Sequence, residues 1–191
     1  TQASVASAAG SSARVALPAD ALVNPATGAA PSGAVTVRVT PIDPGADPRS
    51  MPGDFTTSTG ATIESFGAIN VTLKDSLGAN LNLKSGSSAT LRIPLASRST
   101  DAPATIPLFF LDEATGRWVE EGSAVLTSSG NERWYEGTVT HFSTWNADRI
   151  ADTVFANGCV VSDTGQPVTE GLAISTGLDY AGSAAVGLDA Q

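Results

Sequence analysis

A chain of 191 residues, 41% hydrophobic but only 6% aromatic, can bury one sizeable core built mainly from Val, Leu, Ile and Ala. Its net charge of −9 repels nucleic-acid phosphates and anionic lipid alike, and no basic stripe offsets the repulsion. No apolar run approaches the roughly 18–20 residues a membrane-spanning helix needs, so neither nucleic-acid binding nor membrane insertion is expected.

The first twelve residues, rich in Ala, Ser and Gly, carry no turn chemistry. They read as a flexible tail, or as a strand that pairs only with a neighbour. They lack the charged-then-apolar pattern of an export signal, so a signal peptide, if the protein is exported, is already removed or lies outside this sequence.

Organised patterning begins at Ala13-Arg-Val-Ala-Leu-Pro, and Asn24-Pro-Ala-Thr-Gly forms a turn. In Ala34-Val-Thr-Val-Arg-Val-Thr, Val35, Val37 and Val39 alternate with other residues, the period-2 signature of a half-buried strand. Residues 41–54 hold four prolines, and proline cannot donate to a sheet ladder. They predict an ordered loop or an edge crossing. Strands then follow at Ala68-Ile-Asn-Val-Thr-Leu, Leu81-Asn-Leu and Ala89-Thr-Leu-Arg-Ile-Pro-Leu. Asp112-Glu-Ala-Thr-Gly and Ser129-Gly-Asn read as hairpin turns, the first between Thr105-Ile-Pro-Leu-Phe-Phe-Leu and Arg117-Trp-Val-Glu-Glu-Gly. Eight or nine short strands and no helix predict an all-β sandwich or barrel.

Asn146 to Thr153 is polar and reads as a linker. A new strand opens at Val154-Phe-Ala-Asn-Gly-Cys-Val-Val, Ser162-Asp-Thr-Gly-Gln-Pro is a turn, and Val168 to Ile174 is a further strand. The 38 or so residues after this seam are too few for an independent core. They complete themselves on a neighbour or on chain beyond this sequence. Cys159 stands alone, which excludes a disulfide framework, and is expected to be a buried structural thiol.

Several of these segments together resemble a known type of bacterial surface protein. Arg14-Val-Ala-Leu-Pro-Ala-Asp-Ala-Leu with its valine strand, and Ile69 to Leu95 with its Asp-Ser-Leu-Gly turn, are similar to ZU5-like domains. Thr105 to Gly122, closing with His141-Phe-Ser-Thr-Trp-Asn, resembles large bacterial exported proteins and extracellular parts of cartilage intermediate-layer proteins. Asn157-Gly-Cys-Val-Val-Ser-Asp-Thr-Gly-Gln-Pro-Val resembles the first hairpin of a carboxypeptidase-regulatory-like domain. The resemblance implies a ZU5-like antiparallel β-sandwich over 13–146, a linker at 147–153 and a partial second module at 154–191. It implies an extracellular structural or adhesive role without catalysis. The Ala/Ser tail and the incomplete second module add a further expectation: if either donates strands to a neighbouring domain or an identical subunit, the copies join head to tail.

Candidate chemistry is sparse. His141-Phe142-Ser143 matches a tripeptide at which a nuclear pore protein and some ZU5-containing death-domain proteins cleave themselves. Carried over, Ser143 attacks the Phe142 carbonyl with His141 as base, and water resolves the ester. The competing reading makes 139–145 the closing strand, with Val139, His141, Ser143 and Trp145 on one face. Asp43, Asp47 and Asp54 crowd the proline-rich loop and suit Ca²⁺ as hard oxygen ligands, though their spacing is not that of an EF-hand and proline–aspartate turns in a rigid loop explain the same residues. No other cofactor is expected. Asp163-Thr164-Gly165 matches half of an aspartic-protease pair and has no second copy. Asn70-Val-Thr is a glycosylation sequon, and Trp118, Trp134 and Tyr135, if exposed, offer stacking faces for a glycan.

Overall fold

The structure, a computed structural model, describes residues 2–154 and 157–189. It is all-β: the only helical element among the described residues is one 3₁₀ turn, Pro48–Ser50. Eleven strands make one large antiparallel sheet: β1 (Ser4–Ser7), β2 (Arg14–Leu17), β3 (Leu22–Val23), β4 (Thr36–Ile42), β5 (Ile63–Lys74), β6 (Asn80–Leu83), β7 (Ala89–Pro94), β8 (Thr105–Asp112), β9 (Arg117–Ser129), β10 (Glu132–Val139) and β11 (Thr144–Ile150). Their spatial order is β1-β2-β7-β10-β9-β8-β11-β5-β6-β3, with β4 also on β5. A separate hairpin joins β12 (Leu172–Thr176) to β13 (Ser183–Gly187).

The sheet curls so that both its arms contribute to one core. Val15, Leu91, Ile93 and Tyr135 come from one arm, and Phe66, Val71, Leu73 and Trp145 from the other. Alternation along β8 then requires a second core. Ile106 and Leu108 face the main cluster, whereas Phe109 and Leu111 face outward, where Met51, Phe55, Ile63, Ala68 and Trp118 cover them. The proline-rich loop is therefore the lid of this outer core. Proline suits that place because the loop needs few ladder bonds.

Hairpin turns fall where Asp and Gly place them. Asp112 accepts from the Ala114 N–H at 3.0 Å and the Thr115 hydroxyl at 2.8 Å. Asp75 accepts from Leu77 and Ala79 and, across the loop, from Ser32 at 3.1 Å. That bond from Ser32 leads the effects holding the Asp75 carboxyl below its usual range.

Three expectations need correction. Residues 4–7 are neither tail nor neighbour-bound strand, because Ser4 to Ser7 pair with Leu17 to Arg14 of the same chain. Asn146 to Ile150 is no linker: it continues β11 between β5 and β8, with Asn146 and Asp148 fully buried. Its polar residues hid an interior strand because Trp145 and Ala147, not they, meet the main core. Cys159 is exposed rather than buried. The strand expected from Val154 to Val161 includes Phe155 and Ala156, which lie outside the described residues; at its end Val161 forms an isolated bridge with Pro167.

Candidate functional site

His141, Phe142 and Ser143 lie in the bend where the chain leaves β10 and enters β11. They are not on a strand, as the parity argument assumed. β10 pairs β7 and β9 while β11 pairs β8 and β5, so this bend carries the chain from one arm of the sheet to the other.

Asn82 of β6 holds the middle of the bend. Its Oδ1 accepts from the Phe142 N–H at 2.7 Å and its Nδ2 donates to the Phe142 carbonyl at 3.2 Å. Phe142 itself inserts into the main core. The Ser143 hydroxyl donates to the Leu111 carbonyl at 3.0 Å. The His141 imidazole packs edge-on against Phe110, with centroids 4.6 Å apart, and lies 4.9 Å from Trp145. Its Nε2 is 3.6 Å from Glu121 Oε2. Trp145 Nε1 closes the bend by donating to the His141 carbonyl at 3.1 Å. The bend thus supplies a nucleophile and a carbonyl with a donor aimed at it. In this arrangement the imidazole is engaged by Glu121 and the hydroxyl by Leu111.

The aspartates of the proline-rich loop act in turns. Asp43 Oδ1 accepts from the Ala46 N–H, and Asp47 Oδ1 from the Arg49 N–H and Nε, each near 3.0 Å. The Asp54 N–H donates to the Gly116 carbonyl. Among the described residues no His/Cys/Asp/Glu group has the arrangement of a metal site. Asp163-Thr-Gly is an exposed turn, with the Gly165 N–H on the Ser162 carbonyl. The aromatics considered for glycan stacking are interior: Trp118 and Tyr135 are fully buried and Trp134 nearly so. Tyr135 donates to the Pro103 carbonyl at 2.8 Å, and burial pushes its phenol up to about 12. The sequon amide Asn70 Nδ2 is spent on Thr144 Oγ1 at 2.9 Å.

Polar burial at the β5–β11 pairing had no sequence signal. Ser65 and Asn146 share a 2.5 Å hydrogen bond, while both Asp148 oxygens, Asn146 Nδ2 and Glu64 Oε1 lack a partner among the described residues. Desolvation drives the Asp148 carboxyl well above the usual carboxylate range; the nearby Ser65 hydroxyl pulls the other way, and the Glu64 charge adds to the rise. On the opposite face of β11, Arg149 Nη2 meets Glu64 Oε2 at 2.6 Å, and its guanidinium lies 5.3 Å over the Phe66 ring.

Fold and site together define an all-β protein whose polar chemistry gathers at strand junctions of one curled antiparallel sheet. No family model, curated protein or solved structure matches the chain. No helix among the described residues is long and apolar enough to cross a membrane.

Proposed function

We propose that the chain is an extracellular structural or adhesive module, a ZU5-like β-sandwich followed by the opening of a carboxypeptidase-regulatory-like module, which joins further copies by strand pairing. One observation carries this reading. β1 is an edge strand, paired only with β2 among the described residues, and its sequence Ser-Val-Ala-Ser carries none of the charges or prolines that protect natural edges. Val5 is 60% exposed on that edge. A small groove of mixed polarity, lined by Gln2 and Ser4 as well as by Leu17, Leu22, Val35 and Val37, runs beside it towards β4. A second extended strand there gains main-chain hydrogen bonds and apolar contacts together. Negative-stain imaging and light scattering test this: end-to-end assemblies are expected, and Val5→Lys returns them to monomers. Dispersed wild-type monomers at every concentration overturn the reading.

A second reading rests on Asn82. Its donor on the Phe142 carbonyl stands where an oxyanion develops if Ser143 attacks that carbonyl. The Phe142–Ser143 C–N bond then breaks as the ester C–O bond forms, and the Oγ proton passes by way of His141 to the departing nitrogen. Water hydrolyses the ester, leaving a Phe142 carboxylate and a free Ser143. Intact mass under denaturing conditions separates the two readings. The structural reading expects one species of 19.2 kDa. Two fragments split before Ser143, and their loss in Asn82→Ala, establish self-processing instead.

A further inference from the structure

Where β5 meets β11, a hydroxyl, a primary amide and a carboxyl lie together out of reach of water. Ser65, Asn146 and Asp148 are each fully buried. An irregularity in the ladder sets Asp148 directly across from Ser65, with Asn146 on the same face of β11 two residues earlier. We propose that Ser65 and Asn146 become joined by an ester bond, formed inside the folded chain with loss of ammonia and with Asp148 as the proton relay.

The nucleophile is already in place. Ser65 Oγ donates to Asn146 Oδ1 at 2.5 Å, and the amide carbon Cγ is the next atom beyond that oxygen. The Gly67 N–H donates to the same Oγ at 3.3 Å and helps to fix it. Neither strand can carry its side chain away. β11 is bonded to β5 on one side and to β8 on the other, and the Ser65 N–H is tied to the Ala181 carbonyl at 2.9 Å. A nucleophile held in line with its target reacts as though highly concentrated, with effective molarities of about 10⁵–10⁸ M in well-oriented pairs.

The remaining polar atoms of the cluster are those the reaction uses. Asn146 Nδ2, the leaving nitrogen, and both Asp148 oxygens are buried with no hydrogen-bond partner among the described residues. Each costs the folded chain stability while it stays unmet. Desolvation holds the proton on Asp148 well beyond the usual carboxylate range. The group therefore enters as a neutral acid, with one oxygen able to accept a proton while the other donates one.

Ser65 Oγ bonds to Asn146 Cγ as its proton passes to one Asp148 oxygen. The proton on the other Asp148 oxygen passes to Nδ2, the Cγ–Nδ2 bond breaks, and ammonia departs. Asp148 ends protonated, as it began, and an ester spans β5 and β11. In water the amide is the more stable of the two. Here ammonia escapes to solvent and gains the hydrogen bonds that Nδ2 lacks, while exclusion of water protects the ester from hydrolysis. The link joins residues 81 positions apart and does not depend on how copies of the chain associate. Because it adds stability of its own, Asp148 variants are compared with wild type between chains in the same state, both open or both closed.

The test is the intact mass of the full chain under denaturing conditions, followed by tryptic mapping. Wild type is expected about 17 Da below the mass of its sequence, the weight of the ammonia lost. Trypsin releases peptides 50–74 and 134–149 as one joined species, which mild alkali separates. Folded Ser65→Ala, without the nucleophile, keeps the full mass. Asp148→Asn keeps the shape but not the relay, and in chain isolated unfolded and then refolded it closes roughly 100-fold more slowly than wild type. Wild type still at full mass after prolonged incubation overturns the inference. So does a lighter chain whose two peptides are not joined, because a succinimide at Asn146 also loses ammonia, and so does the same deficit in Ser65→Ala. Closure of Asp148→Asn at the wild-type rate overturns the relay.

Discussion

Gly67→Ala is expected to cost about 3 kcal/mol or more, enough to lower the melting temperature of a chain this size by roughly 6–12 °C. Gly67 sits in β5 at φ +130°, and a Cβ there would lie 2.2 Å from the Pro94 carbonyl oxygen and 3.4 Å from Ile93 Cγ2. The first contact is with backbone, which cannot rotate aside. The positive φ adds strain that no L side chain accepts readily. The position also sets register: Asn146 pairs with Ala68 but Asp148 pairs with Ser65, so Ala147 opposes both Phe66 and Gly67. That is a β-bulge, and it brings Ser65 rather than Phe66 alongside Asp148. Thermal melting followed by circular dichroism checks the prediction. A melting temperature within about 2 °C of wild type would show that the bulge tolerates a side chain.

Between chains in the same state, open or closed at Ser65 and Asn146, Asp148→Asn is expected to stabilise the protein at neutral pH by about 1–3 kcal/mol, because the folded carboxyl must hold a proton that the unfolded chain releases, a cost that the amide, of the same shape, does not carry. The carboxyl is fully buried and both its oxygens lack partners among the described residues. In the unfolded chain it loses its proton near 3.8, whereas in the folded chain burial holds the proton to a much higher pH. Below 3.8 both states are protonated and Asp148 costs nothing through ionisation. As pH rises past 3.8 the unfolded state ionises first, so stability falls until the folded carboxyl ionises too. Wild type should therefore lose stability relative to Asp148→Asn as pH climbs from about 4 towards 8, with the two converging at the acid end. Paired melts across that range decide the matter. A variant less stable than wild type at pH 7 would mean that the carboxylate has a favourable role there.

The main strands were legible because their faces alternate. Ala89 to Pro94 reads buried then half-buried at every step, matching the apolar–polar order of its residues. The turns at Asp112 to Gly116 and at Ser129 to Asn131 were legible from local chemistry, since Asp, Gly and Asn bend the backbone whatever surrounds them. β11 was not legible. Its outward face carries Thr144, Asn146 and Asp148, polar residues that mimic a solvent-facing linker yet lie buried. The aromatics were misplaced for the converse reason: Trp118 and Trp134 flank turns, where exposure is common, but Trp118 joins the outer core under the proline-rich loop and the Arg92 guanidinium lies over the Trp134 ring.

The candidate sites divide in the same way. The tripeptide at His141 to Ser143 was visible as residues, whereas its bend and the clamp from Asn82, 60 positions earlier, were not. Ser65 and Asn146 are 81 positions apart, and Asp148 is farther still from Ser65.

From the amino-acid order alone come the all-β class, the acidic surface charge and the hairpin positions, because strand periodicity, side-chain ionisation and turn preference act over a few neighbouring residues. Only the folded arrangement decides that β11 is interior, that Asp148 is buried uncompensated, and that Ser65, Asn146 and Asp148 meet out of reach of water. Those outcomes depend on which strands become neighbours when the sheet curls, and that is a property of the whole chain's packing rather than of any short segment.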